Sequence, residues 1–402
     1  MISDSLPKLE TSAKGRIWSF DFTICWSVAL AYYIGYFMFL PTLPPHLVSI
    51  GLSNSEAGLV IGSFAITAAV TRPLIGVLCD RGLAKSVILA GLAMATVAAA
   101  GLNWARAVPF LVGLRLLQGG GMSAFTSANG MVVANVIPSS RRGEAMSYYF
   151  LPQGVGMAVA PLLGTLLLEG SGFGIVAYSA AAIMTCSVLL ATRVSKAASR
   201  PAESGPPKTT LFCKSAVQPL IVGFSVYVAW GGLAAYLPIF VYDRQIGSPG
   251  TFFTIYAVVL FCSRFFAGRV SDRYGRSAGI YGGAGLMVAA LLIIAFGGSM
   301  VALSIAAVLL GLGNGLVLPA FLALAVDKAP AEERGQAVST VAMGTDTGTA
   351  LGAMLLGPIV DAAGFVAMFI GAAAVVMAGL LVFFVLSKIE GDRVISNCRT
   401  CS

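Results

Sequence analysis

Charge is what this chain has least of. Asp, Glu, Lys and Arg together make up 10% of its 402 residues, where an ordinary soluble domain carries about 25%, so most of the chain cannot face water. Histidine is nearly absent too, with His46 alone at the outer end of the first apolar stretch. No Gly-x-x-x-x-Gly-Lys-Ser/Thr loop occurs, which argues against nucleotide hydrolysis. Seven cysteines (Cys25, Cys79, Cys186, Cys213, Cys262, Cys398 and Cys401) are an odd, scattered set that implies no disulfide framework. The tail pair Cys398 and Cys401 lacks two further ligands and reads as ordinary thiols, so no metal or cofactor site is expected. With no cluster of intramembrane carboxylates and one histidine, no catalytic set can be assembled, and an enzyme is not expected. Strand-period alternation is missing, which removes a β-barrel.

What the chain does have is apolar length. Hydrophobic residues make up 57% of it, its mean hydropathy is +0.88, and apolar runs near 20 residues long suffice to cross a hydrocarbon core of about 30 Å as helices. Twelve spans fit: 18–40, 56–79, 86–104, 107–135, 143–168, 172–192, 217–242, 250–271, 278–297, 300–326, 335–361 and 364–387. This predicts an all-α membrane protein with an N-terminal tail (1–17), a six-helix bundle (18–192), a linker (193–216) rich in Pro, Ser, Lys and Arg, a second bundle (217–387) and a C-terminal tail (388–402).

Basic residues set the orientation. With both termini cytoplasmic, 20 of the 25 Lys and Arg lie on that side, only Arg106 and Arg244 fall outside, and Arg72, Arg115 and Arg264 lie within spans. This is a strong positive-inside pattern. The formal charge of +8 thus reports topology and contact with anionic lipid heads, and nucleic acid is not an expected partner. No Ala-x-Ala-like cleavage site follows the first span, which is expected to stay as an anchor.

The two bundles are copies. Adding 192 to a residue number takes Gly76-Val77-Leu78-Cys79-Asp80-Arg81 to Gly268-Arg269-Val270-Ser271-Asp272-Arg273. The same offset takes Arg72 to Arg264, Gly91 to Gly283, Gly119 to Gly311, Gly121 to Gly313, Gly156 to Gly348 and Gly172-Phe173 to Gly364-Phe365, with Glu169 falling on Asp361. A long fixed period without a gap is an architectural repeat.

Two such halves joined by a basic linker, each with this charged loop between its second and third helices, resemble the major facilitator superfamily. That family's loop runs Gly-x-Leu-x-Asp-Arg-x-Gly-Arg-Lys. The second copy keeps Gly268, Asp272, Arg273, Gly275 and Arg276; the first keeps Gly76, Leu78, Asp80, Arg81 and Lys85 but has Leu83 and Ala84 in place of Gly and Arg. The resemblance implies twelve transmembrane helices in two pseudo-symmetric halves, a functional monomer and alternating access to a midplane site. It also implies a gating role for Gly76, Asp80, Arg81, Gly268, Asp272, Arg273 and Arg276, with Asp80 meeting the start of helix eleven near Arg334-Gly335, where a helix dipole favours a carboxylate.

The fourth span carries Arg115-x-x-Gln118-Gly119-x-Gly121, similar to a family signature whose arginine is associated with proton coupling. Arginine inside a span costs roughly 2.5–3.5 kcal/mol on the insertion scale and so should face a wet cavity or a partner; the second half has Ala307 at that place. Helix five, with Gly156, Ala160, Pro161 and Gly164, resembles the Gly-Pro motif of the exporter branch, with Ala160 and Thr165 in place of two of its glycines. Small residues at that spacing allow close helix contact.

Asp346 alone among the carboxylates lies well inside a span, and its first-half equivalent is Gly154. Burial disfavours the charged form of an acid, which suits a group that takes up and releases protons. Asp346 is therefore expected to be a protonation or cation site, with a structural residue bonded to Thr345, Thr347 or an arginine as the alternative. Candidate cavity residues are Tyr32, Tyr36, Gln118, Trp230, Tyr236 and Asn314, the amides because facing lipid would be costly. His46 reads as solvated loop. The expected protein is a secondary transporter in the bacterial inner membrane that exports a small organic molecule against protons. The alternatives are a proton symporter taking up a metabolite or metal chelate and, in a different class, a non-transporting receptor or scaffold.

Overall fold

The computed structural model describes residues 17–138, 141–195, 213–330 and 333–400, with the side chains of 214, 268, 270–272 and 390–400 left aside. The N-terminal tail, most of the linker, the Cys398 and Cys401 thiols and the Gly268 and Asp272 side chains therefore lie outside the described residues.

Among the described residues, twelve long helices form in order: α1 (Phe20–Ser49), α2 (Asn54–Leu78), α3 (Ala84–Gly101), α4 (Val108–Val136), α5 (Arg142–Ser171), α6 (Phe173–Ala191), α7 (Val217–Arg244), α8 (Pro249–Tyr274), α9 (Arg276–Phe296), α10 (Met300–Lys328), α11 (Arg334–Leu355) and α12 (Gly357–Thr400). Among the described residues, nine segments are long and apolar enough to cross a membrane by length and composition, α2 and α3 counting as one. The helices they omit are α4 and α11. Those two carry Arg115 with Gln118, and Asp346 among threonines, so their lower hydropathy comes from the residues of the site.

Local chemistry sets the ends. Ser53 and Glu56 form a capping box that starts α2, each bonding the other's backbone N–H. Lys85 donates to the carbonyls of Thr192 and Val194 at 2.7 and 2.6 Å, which satisfies acceptors left over at the end of α6. α1 runs nine residues past the expected boundary, straight through Pro41, Pro44 and Pro45. His46 consequently lies in its last turn, stacked on Phe173 with ring centroids 3.8 Å apart, and is not a solvated loop residue.

Each half has its own apolar core, one built from Ile17 to Val194 and the other from Cys213 to Phe383. The 192-residue repeat reappears as geometry. A Cβ on Gly91 would lie 2.7 Å from the Gly121 carbonyl oxygen, and one on Gly283 would lie 2.6 Å from that of Gly313. The α3–α4 and α9–α10 crossings are thus close in the same way, backbone on backbone, which is how small residues hold helices together where lipid offers no hydrophobic drive. Gly172 and Gly364 bend the chain before α6 and within α12 with φ of 82° and 81°, a region that L side chains avoid.

The α2–α4 crossing gives a first expected outcome. The Phe64 carbonyl sits against the position a Cβ on Gly119 would take, whereas Gly113 on the same helix has open space. Gly119→Val should destabilise the N-terminal half by about 1–3 kcal/mol or more through overpacking. Gel filtration and thermal unfolding in detergent should show this loss, with Gly113→Val unchanged.

Candidate functional site

The halves meet along two seams, α2 with α11 and α5 with α8. Between them lies a cavity of about 200 Å³, walled by α1, α2, α4, α7 and α11. One end of the molecule carries Ser195 and Cys213, the described ends of the linker, and the charged loops, and we call it the linker face; the other is the far face.

The seams are closed toward the far face. Asp361, at the start of α12, accepts from the backbone N–H of Asn54 at 3.1 Å and of Ser55 at 2.9 Å, and also from both side chains. A carboxylate of one half thereby caps a helix of the other, satisfying N–H groups left free in its first turn. Tyr236 donates to the Asn54 and Ala353 carbonyls. On the second seam Tyr242 donates to Glu169, the repeat equivalent of Asp361, at 3.3 Å. The glycines at the linker-face ends of α2, α5 and α11, Gly76, Gly143 and Gly335, have open space beside them, as Gly51 and Gly170 do at the far face.

Removing the Asp361 cap should loosen the far face. Asp361→Ala is expected to forfeit about 1 kcal/mol of capping, which raises alkylation of a cysteine placed at the buried Ala57 roughly fivefold.

Arg115 reaches the cavity wall from α4. Only 6% exposed, it donates to Gln118 Oε1 at 2.5 Å and to the Ile61 carbonyl at 3.5 Å. Its guanidinium also lies 4.6 Å from the centre of the Phe64 ring, and Tyr36 stacks on that ring with centroids 5.2 Å apart. No carboxylate among the described residues pairs with it. A neutral amide, a carbonyl and a ring face hold a buried cation in place, which leaves its charge uncancelled toward the cavity.

Asp346, roughly 18 Å of rise into α11, faces Arg72 of α2. Its Oδ2 lies 2.9 Å from Arg72 Nη2, yet the approach is out of line for a hydrogen bond. The two side chains are 27% and 43% exposed, so this is a charge pair in the cavity mouth between two halves, held by attraction more than by fixed geometry. Of the readings open for Asp346, an arginine partner is the one observed, and that arginine comes from the opposite half.

Of the expected cavity residues, Tyr36 and Trp230 line the wall together with Arg115 and Asp346. Tyr32, Gln118 and Asn314 do not: all three are buried behind the lining. Tyr32 packs on Phe125 with ring centroids 4.7 Å apart. Gln118 holds Arg115, and Asn314 donates to Tyr256 Oη at 2.7 Å. The amides avoid lipid as argued, but by turning inward to partners in their own half. Tyr256 in turn stacks on Trp230 at 4.7 Å, so Asn314 positions a wall residue at one remove.

The helix-five residues form a seam and not a wall. Gly156 packs on Tyr33 and Ile34 of α1, Gly164 on Met38, and the Pro161 carbonyl on Gly250 of α8, while Ala160 is fully buried. In the loops, Asp80 and Arg81 are exposed with no described partner, and Arg334 and Gly335 are likewise exposed, so the expected contact of Asp80 with α11 is not made here. Arg273 lies 5.6 Å from the Tyr274 ring, and Arg276 pairs with Asp327 at 3.0 Å. Sequence reasoning gave no role to Arg72 or Phe64. For Arg72 the available signal was its recurrence as Arg264 inside a second span.

Two homologous helical halves around a mostly apolar cavity that carries a few charged groups, Arg72, Arg115 and Asp346, define a multi-pass membrane transporter. The family model "Major Facilitator Superfamily" matches residues 25–252 and again 220–396, and the chain belongs to that superfamily. It is 22% identical over 352 residues to the staphylopine export protein of Staphylococcus aureus, covering 84% of this chain and 87% of that one. With a multi-drug resistance efflux pump PmrA homolog of Lactococcus lactis it shares 23% identity over 363 residues, 86% of this chain and 88% of the relative. A crystal structure of a single-substitution variant of the nucleoside transporter NupG superposes with a TM-score of 0.81 at 14% identity, covering 91% of this chain and 99% of that chain. That last likeness speaks for the fold alone.

Proposed function

We propose that this protein exports a small organic molecule in exchange for protons, by alternating access, as a monomer in the bacterial inner membrane with its linker and termini in the cytoplasm. The observation that carries the reading is the Arg72–Asp346 pair, an acid and a base on opposite halves at the mouth of the cavity. A proton taken up by Asp346 cancels one partner and releases the tie; a proton given up restores it. Protonation thereby biases one arrangement of the halves over the other, which is what coupling requires.

In the arrangement open to the linker face, the substrate enters from the cytoplasm while Asp346 is deprotonated and paired. The halves then rock about the midplane, the Asp361 and Glu169 contacts part, and the substrate leaves as a proton enters. The uncancelled charge of Arg115 discourages a second cation from resting beside Asp346. Direction is supported by the helix-five seam and by the two exporters to which the chain is similar.

The test is flux under an imposed gradient. Compounds retained by cells lacking the protein should accumulate in inside-out vesicles with an acid interior, and an uncoupler should abolish that accumulation. Uptake into right-side-out vesicles driven by the inward proton gradient would contradict export.

A further inference from the structure

The repeat makes the two seams comparable rung by rung. On the first seam, Gly58 of α2 sits against the Ala353 carbonyl of α11, and a Cβ on Gly62 would lie 2.6 Å from the Ala350 carbonyl. The offset of 192 takes these to α8 and α5, where a Cβ on Gly250 would lie 2.7 Å from the Pro161 carbonyl and Thr254 donates to the Ala158 carbonyl at 2.8 Å. Further along the first seam Arg72 pairs with Asp346. Its mirror is Arg264 with Gly154. The cation is repeated and the acid is not.

We infer that Arg264 recognises an anionic group, carboxylate in class, on the transported molecule, which supplies at Gly154 the acid that Asp346 supplies on the other seam. Three observations support this. Arg264 is exposed and has no hydrogen-bond or ion-pair partner among the described residues. Room for an acid exists, because a Cβ on Gly154 would meet only Phe261, at 3.6 Å. The charged wall residues of the cavity are Arg72, Arg115 and Asp346, one positive charge in excess, and Arg264 stands outside that lining.

The consequence is a reason for closure to wait for cargo. Bringing α5 and α8 together at the linker face would desolvate Arg264 with nothing opposite it, which opposes closing the empty molecule. A bound carboxylate, met in the planar two-pronged fashion that guanidinium favours, removes that opposition. The role extends the export reading above, which it needs for direction but not for binding.

The test uses the full chain in nanodiscs, with its native cysteines replaced and spin labels at the exposed Ser147 of α5 and Tyr274 of α8. Gly154→Asp should supply the missing acid and raise the short-distance population roughly fivefold without any ligand, and Arg264→Gln in the same chain should reverse it. In the unsubstituted chain, carboxyfluorescein should raise that population and its carboxamide should not, and Arg264→Gln should abolish the response. An unchanged distribution in folded Gly154→Asp protein overturns the inference, as does equal action of carboxylate and carboxamide, or a response that survives Arg264→Gln. The Arg264→Gln arm stands even where Gly154→Asp fails to fold. Because distances are read without flux, closure on carboxylate in a chain that moves nothing would keep the subsite and overturn export; proton-driven export of only uncharged or cationic compounds would do the reverse.

Discussion

Asp346→Asn is expected to lose proton-driven export down to the level of empty vesicles while protein abundance stays normal. The side chain that remains has almost the same shape but no proton to exchange and no charge to set against Arg72 of α2. Stability should hardly change, because the pair is partly exposed and pairs of that kind contribute about 1 kcal/mol or less. Exchange of substrate for substrate, which needs no proton, should survive and shows that binding and rocking are intact. Exchanging the two residues, Arg72→Asp with Asp346→Arg, should restore the attraction between the halves but set the acid on the other side of the seam, so coupling should recover only in part. Full gradient-driven export by Asp346→Asn would remove the acid from the mechanism.

Gly58→Val should trap the other arrangement of the halves. Gly58 lies on α2 where the Ala353 carbonyl and the Tyr236 hydroxyl of the opposite half press against it, so a larger residue obstructs closure of the far face and little else. Overpacking of this sort costs about 1–3 kcal/mol, enough to turn the balance between two arrangements by roughly fivefold to 150-fold. Transport should fall by a similar factor. Alkylation of a cysteine at Ala57 from the far face should rise in parallel, while gel filtration and thermal unfolding stay near those of the unsubstituted protein, because the strain vanishes once the halves part. A collapse of folding yield would instead mean that Gly58 serves its own half, as Gly119 does.

The helices were legible because twenty apolar residues in lipid have few options besides helix. Their number and order follow from the runs and the turn residues between them. The first span was expected to end at residue 40, yet α1 continues through Pro41, Pro44 and Pro45 to Ser49. The duplication was legible as well, since close backbone crossings such as Gly91 with Gly121 tolerate no side chain and leave their glycines in both copies. Polarity in a span marked Arg115 and Asp346 correctly as unusual, but could not say which way an amide turns: Gln118 and Asn314 face partners in their own halves. The partner of Asp346 was beyond local reading because Arg72 stands on a different half, and which face is closed depends on contacts such as Asp361 with Asn54 and Ser55 that span most of the chain.

The most direct measurement follows the acid and the seam together. Infrared difference spectroscopy can report the protonation of Asp346 against an Asp346→Asn background, while spin labels on α2 and α11 report their separation as pH is changed in the same nanodisc preparation. The two signals should titrate with one midpoint, and both should vanish in Asp346→Asn. A separation that shifts with pH just as well after that substitution would contradict a tie between the halves governed by this carboxylate.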